Sequence, residues 1–227
     1  MSLLETTIGW LAPPLCVGCG AEGGVLCIAC SESEILPYGS RCWHCGALMP
    51  LPRACKSCKS FGGPRYVWLT TQYDGLAKEL VRLYKFGQQR AAAHELAELM
   101  MQTFIHSGYE EQNYLVVPVP TATNRIRERG FGHSELLARL IAQKLNLSFC
   151  KTLGRLGQKH QIGSSRATRL SQPEGNYYVR WPERIKGRNI LLIDDVLTTG
   201  ATLRATTKAL RSAGAKHIDA LVFAKRL

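Results

Sequence analysis

The sequence has no apolar run that approaches the length of a membrane-spanning helix, so no membrane span is expected. Its start, M-S-L-L-E-T-T-I-G-W, has no basic stretch and carries Glu5, which argues against a signal peptide. The apolar residues there (Leu3, Leu4, Ile8, Trp10, Leu11) suit a short docking helix instead. No internal repeat of solenoid length shows, apart from a doubled cysteine pattern. The segment up to about Phe61 is poor in aliphatic residues, too poor to build a core without staples. Otherwise the composition is that of a globular protein: 227 residues, 45% hydrophobic and 20% charged, room for one medium domain and a small one.

Acidic residues are also scarce, 17 against 29 Lys and Arg, and the net charge is +12. The imbalance is local. Residues 1–60 are neutral and residues 61–113 carry net −1, whereas residues 114–188 hold fourteen basic and four acidic groups. Residues 189–227 hold six and three. A basic excess concentrated in one segment points to a polyanionic partner.

Eight of the nine cysteines form four C-x-x-C pairs, Cys16/Cys19, Cys27/Cys30, Cys42/Cys45 and Cys55/Cys58. Four thiolates close a tetrahedral structural zinc site, so eight suffice for two. Gly20 and Gly46 follow the first and third pairs directly, where a knuckle needs a backbone turn toward sulfur. Without a secretion signal, disulfides are disfavoured and a reducing, cytoplasmic setting is expected. Metal binding would then supply the folding energy that aliphatic burial cannot. Either adjacent pairs share a metal or the pairing is cross-braced. His44 lies inside the third pair and reads as a non-ligand, because cysteines already complete the count. Gly62, Gly63 and Pro64 mark a linker, which divides the chain into 1–61 and 62–227.

The stretch from Arg188 to Leu203, R-N-I-L-L-I-D-D-V-L-T-T-G-A-T-L, organises the rest. Asn189 to Ile193 is apolar without alternation, as in a strand buried on both faces of a parallel sheet. Asp194 and Asp195 are expected at its end, facing solvent, before Thr198, Thr199, Gly200 and Thr202 and a helix from Ala201. A hydroxyl- and Gly-rich strand–loop–helix turn presents N–H groups at a helix N-terminus, a phosphate site. The paired carboxylates suit vicinal hydroxyls, as on a ribose, or hydrated Mg2+.

Upstream, Tyr66 to Tyr73 reads as a first strand, and Leu76, Leu80, Leu83 and Tyr84 as a helix ending at Gly87. Lys85, at the end of that helix, is either a helix-dipole partner or a pyrophosphate contact. Leu96, Leu99, Met100, Phe104 and Ile105 mark a second helix, and Tyr114 to Pro120 another buried strand. The loop after it carries Arg125, Arg127 and Arg129, whose guanidinium groups would reach a crevice at the carboxyl ends of the strands. Phe131 beside them suits base stacking or packing on the next helix. That helix runs from about His133 to Asn146, with Leu136, Leu137, Leu140, Ile141 and Leu145 as its stripe. From Phe149 the pattern breaks down into a long basic loop, a lid candidate. Tyr177 to Trp181 is a short strand, Pro182 to Gly187 a turn, Leu203 to Gly214 a helix, and His217 to Ala224 a last strand. Cys150 reads as a small buried hydrophobe.

The cradle resembles the phosphoribosyl pyrophosphate (PRPP) signature of type I phosphoribosyltransferases. By that resemblance Asp194 and Asp195 hold the ribose hydroxyls, Leu197 to Thr202 wrap the 5′-phosphate, and the whole site is Asp194, Asp195, Val196, Leu197, Thr198, Thr199, Gly200, Ala201 and Thr202. Three segments together narrow the match: the C-x-x-C pairs, R-x-R-E-R-G-F, and Gln161, Arg166 and Arg169 in the spacing Q-x-x-x-x-R-x-x-R. In this order they resemble the ComF / GntX family of competence-type, phosphoribosyltransferase-like proteins. The resemblance implies an α/β fold, an open, mainly parallel sheet flanked by helices behind a small zinc-ribbon-like region. It implies PRPP or a nucleotide with Mg2+ as ligand, and a role in natural transformation that handles single-stranded DNA beside other DNA-uptake proteins. Lys85, Arg125, Arg127, Arg129, Gln161, Arg166 and Arg169 become candidate contacts to pyrophosphate or DNA. The chain departs from the family in Gly132 and His133, where Asn-Gln is usual, and in Gln172, where Asn is frequent. Two further functions compete: an active transferase moving ribose 5-phosphate onto a small nucleophile, and an interaction module. The sequence shows no unambiguous general base for the former.

Overall fold

The computed structural model describes residues 13–86, 89–108, 113–121, 132–156 and 177–227. The expected docking helix at the start lies outside them, as do Gly87, Phe131 and Gln172. Five parallel strands form the central sheet: β1 (Val67–Gln72), β2 (Tyr114–Pro118), β3 (Ser148–Phe149), β6 (Asn189–Leu197) and β7 (His217–Lys225). Their order across the sheet is β1-β7-β6-β2-β3. Two shorter strands, β4 (Leu153–Arg155) and β5 (Tyr177–Val179), pair antiparallel beside it. The helices are α1 (Ile28–Glu34), α2 (Gly75–Phe86), α3 (Gln89–Ile105), α4 (His133–Lys144) and α5 (Ala201–Ser212). Among the described residues no helix is long and apolar enough to cross a membrane.

The unalternated apolar strands are buried on both faces, as their sequences predict. Trp68, Tyr114, Val116, Leu191, Ile193, Leu221 and Phe223 face one layer, with Leu80, Tyr84, Leu96, Met100, Leu137 and Ile141 from α2, α3 and α4. Val67, Leu69, Leu115, Val117, Ile190, Leu192, Ala220 and Val222 face the other, with Leu203 and Leu210 of α5. Ile105, placed in the α3 pattern, is instead exposed at that helix's end. The Cys-rich segment contributes to both layers: Val25, Leu26 and Ile35 to the first, Tyr38 and Trp43 to the second.

Two features of the region after Phe149 differ from the expected loop. Ser148–Phe149 adds an edge strand, and Leu153–Arg155 pairs with Tyr177–Val179. Strands of two or three residues are too short to show a period, which is why the sequence pattern missed β3 and β4; the strand expected over Tyr177 to Trp181 is β5, ending at Val179. The strand carrying the carboxylates also runs longer than expected, to Leu197. Its register explains this. β2 accompanies β6 only as far as Pro118 opposite Ile193, whereas β7 pairs with it to Leu197 opposite Lys225. Asp194 and Asp195 therefore lie inside β6 but beyond the end of β2, where one side of the strand opens into a crevice.

A buried polar knot ties the linker to the last strand. The Asp219 carboxylate, fully buried in β7, accepts from Arg65 Nε (3.1 Å) and a terminal guanidinium nitrogen (2.6 Å), from the Tyr66 N–H (3.0 Å) and from Tyr114 Oη (2.7 Å).

Candidate functional site

The crevice beyond β2 has a volume of about 410 Å³. Asp194, Asp195, Thr198 and Thr202 line it together with Lys85 from α2, His133 and Ser134 from α4, Arg155 and Tyr177 from the small sheet, and Tyr73 and Arg226. Five of the predicted phosphate-site residues, Val196 among them, thus share one cavity with Lys85. Val196 is half-buried against the core, Leu197 is buried, and Gly200 and Ala201 make the turn into α5.

The carboxylates do not simply face solvent, as the sequence pattern suggested; both are half-buried. Lys85 Nζ lies 2.8 Å from Asp195 Oδ2, so the lysine faces the crevice rather than only capping its helix. Ser134 Oγ donates to Asp194 Oδ1 at 2.9 Å, and the Asp195 N–H donates to the same oxygen at 3.0 Å. Burial, and then the neighbouring charge of Asp195, push the Asp194 carboxyl up to about 7, against the pull of Ser134, the Asp195 N–H and Lys85. Tyr84 is raised as well, by burial first and then by Asp195. Its hydroxyl donates to the His133 carbonyl and its ring meets the His133 ring edge-on, which anchors the start of α4 and so places Ser134.

The loop owes its shape to Gly200. That residue is the N-cap of α5 at φ 75°, a left-handed conformation that favours glycine, and it offers no side-chain cap. Neither Asp nor Thr is therefore spent as the helix N-cap, although Thr199 Oγ1 accepts from the Ala201 N–H at 3.4 Å. The loop carbonyls are held by cations: Lys225 Nζ donates to Thr198 O (2.5 Å) and Arg204 to Thr199 O (3.0 Å). Carbonyl dipoles turned to these cations do not oppose an anion at the helix N-terminus.

The cysteines gather into two separate groups, Cys16, Cys19, Cys27 and Cys30, and Cys42, Cys45, Cys55 and Cys58. Adjacent pairs share a group, and the cross-braced alternative is not realised. Within each group the four sulfurs lie within 4.8 Å of one another, with Cys19–Cys27 at 3.7 Å and Cys45–Cys55 at 3.8 Å. A tetrahedral zinc–thiolate site has sulfurs about 3.8 Å apart, given Zn–S bonds of about 2.3 Å. Gly20 and Gly46, at φ 75° and 77°, donate back to the Cys16 and Cys42 carbonyls and close two equivalent knuckles. The Cys27 and Cys55 N–H groups point at Cys16 Sγ and Cys42 Sγ. Burial raises the Cys16 and Cys42 thiols, but N–H groups aimed at the sulfurs outweigh it and lower both to about 6. Cys30 is pushed up to about 12, first by its hydrogen bond with Cys27, and Cys58 to about 12, first by burial. A divalent cation relieves that conflict among crowded thiolates, so both groups fit structural zinc. His44 is not in either group; its ring stacks on Phe61.

Arg125, Arg127, Arg129, Gln161, Arg166 and Arg169 lie outside the described residues. The residues flanking them do not: Thr121 and His133 bracket one segment, Arg155 and Tyr177 the other, and all four line the crevice. The sequence pattern missed Ser134, His133, Arg226 and Tyr73; Arg155 and Tyr177 it offered only as a DNA contact and a stacking candidate. Ser134, next to a departure from the family pattern, carried the nearest thing to a signal, a hydroxyl at a helix start.

A family model, the phosphoribosyl transferase domain, matches residues 85–227. The chain is 25% identical over 203 residues to Competence protein ComFC of Bacillus subtilis, covering 83% of this chain and 79% of that protein. It is 26% identical over 204 residues to Competence protein F of Haemophilus influenzae, covering 86% and 87%. It is 24% identical over 151 residues to DNA utilization protein YhgH of Escherichia coli, covering 62% and 63%. These relatives support the ComF resemblance.

Proposed function

Because the chain belongs to the phosphoribosyl transferase domain family, we propose that its crevice binds PRPP or a related ribose phosphate with Mg2+, in a competence-type protein that handles single-stranded DNA in the cytoplasm. One observation carries the ligand reading: two carboxylates stand beyond the end of β2, in one cavity with Thr198, Thr202 and Lys85. Asp194 and Asp195 take the ribose hydroxyls and hydrated Mg2+, and Thr198 to Thr202 take the 5′-phosphate at the N-terminus of α5. Lys85, which pairs with Asp195, is placed to neutralise the diphosphate as well. Residues 1–61 act as a zinc-binding region and 62–227 as the ligand-binding domain.

The DNA reading rests on the basic excess of residues 114–188 and on relatives named for competence and DNA utilization. Arg125, Arg127, Arg129, Arg166 and Arg169, with Gln161, take phosphates of the strand or of the diphosphate, so the two ligands compete. Other DNA-uptake proteins are the expected partners. A second reading, transfer of ribose 5-phosphate to a small nucleophile, is favoured by a cavity of small-ligand size.

Calorimetry with PRPP and Mg2+ tests the first reading. Asp194→Asn with Asp195→Asn should weaken binding at least about a hundredfold, since two charge-assisted contacts are worth about 1.5–3 kcal/mol each. Unchanged affinity would remove the assignment. A PRPP-consumption assay with candidate bases separates binding from transfer.

A further inference from the structure

The two cysteine groups are equivalent in sequence, but they sit differently in the fold. The first packs on the α2 side: a Cβ on Gly18 would meet Cys30 and Leu76. The second reaches the phosphate loop. Trp43, between Cys42 and Cys45, is fully buried, in the same core layer as Leu197 and Leu203 on either side of the loop. Its ring is clamped by two glycines in left-handed conformations. A Cβ on Gly63 would stand 2.7 Å from the ring, and one on Gly200 would stand 2.6 Å from it. Neither position has room for a methyl group, and both need positive φ, 122° and 75°. Thr198 and Thr199 also share a surface pocket with His44 and Cys45 of the same knuckle. Lys225, which holds the Thr198 carbonyl, lines that pocket too.

We propose that the second cysteine group is the brace of the phosphate loop. Trp43, held by metal at Cys42, Cys45, Cys55 and Cys58, is a positioning residue that fixes the Gly200 turn, so metal occupancy of this group and not of the first governs anion affinity at Thr198–Thr202. The ligand part rests on the reading of that loop as a phosphate site; the mechanical part does not. A knuckle that loses its metal loses the constraint on Trp43, and the turn loses the wall that selects its conformation.

Hydrogen exchange on the full-length, ligand-free chain is the test, with zinc content and PRPP affinity measured on the same samples. Trp43→Ala and the pair Cys42→Ser/Cys45→Ser should speed exchange of the first hydrogen-bonded amides after the Gly200 turn, Arg204 to Thr207, by about tenfold or more. The amides of Ile190 to Ile193 should keep their protection, and Trp43→Phe, which keeps a ring in the slot, should restore most of the loop's. The pair Cys16→Ser/Cys19→Ser should leave the loop unchanged. PRPP affinity should fall about tenfold in the loop-loosened variants alone, as expected when binding must reorder a loosened site. Loop exchange that is unaltered in Trp43→Ala, or loosened equally by the first cysteine pair, overturns the proposal. A wild-type chain that binds no PRPP removes the ligand reading but leaves the exchange comparison to decide the brace.

Discussion

Replacing Asp219 by Ala removes the acceptor on which four donors converge, and the structure allows the cost to be worked out. Tyr114 Oη is fully buried and loses a 2.7 Å partner. The Tyr66 N–H loses one at 3.0 Å. A buried donor that loses its partner costs about 1–3 kcal/mol, so these two contribute about 2–6 kcal/mol. Arg65 adds less, because its side chain is 34% exposed and water recovers part of what the carboxylate supplied. A net loss of about 3–5 kcal/mol is expected, the range for breaking one partner out of a buried pair. In a chain of this length that lowers the melting temperature by about 6–20 °C. Tyr114→Phe removes one donor and leaves the carboxylate three, so it should cost only about 1 kcal/mol. Thermal unfolding followed by circular dichroism, with zinc held constant, measures both. A shift below about 2 °C for Asp219→Ala would refute the reasoning, since it would mean that the knot adds nothing beyond what water supplies.

Elemental analysis of protein purified without added metal should find about two zinc ions per chain, because each four-sulfur group completes one tetrahedral site; a ratio near zero with eight freely titratable thiols would count against it. Asp194 carries a pH signature. Its carboxyl is near 7 in the folded chain, from burial and then Asp195, against about 3.9 unfolded, so the folded state holds a proton that the unfolded state releases. Stability from this group is present below the lower value and lost as pH rises through the higher one. Ligand-free Asp194→Asn should therefore melt above wild type at about pH 8, with the gap closing toward about pH 5; a gap independent of pH contradicts the assignment. Single-stranded DNA should bind with a log–log salt slope of roughly −0.7 per phosphate neutralised, and Arg125→Ala with Arg127→Ala and Arg129→Ala should flatten it. Binding that survives those changes but disappears with the zinc region would make the zinc region the reader of nucleic acid.

Features set by neighbours in the chain were legible in the sequence. Four C-x-x-C pairs specify sulfur clusters of the kind that could hold metal, because two thiolates three residues apart already offer half a tetrahedron. The run from Asn189 to Thr202 specifies strand, loop and helix because an unbroken branched apolar run, a glycine and a helical pattern act within one turn of each other. The same locality explains what stayed hidden. Which cysteine pairs gather into one cluster, and that β6 runs on past β2, depend on how separate segments meet. Ser134 on Asp194, Lys85 on Asp195 and Asp219 on Arg65 join residues 60, 110 and 154 positions apart. Trp43 against Gly200 is a contact of the same kind. No spacing rule connects such positions. The order β1-β7-β6-β2-β3 puts the carboxyl ends of β6, β7 and β2 side by side, and only that arrangement makes a four-cysteine knuckle, the Thr198–Thr202 loop and two carboxylates neighbours.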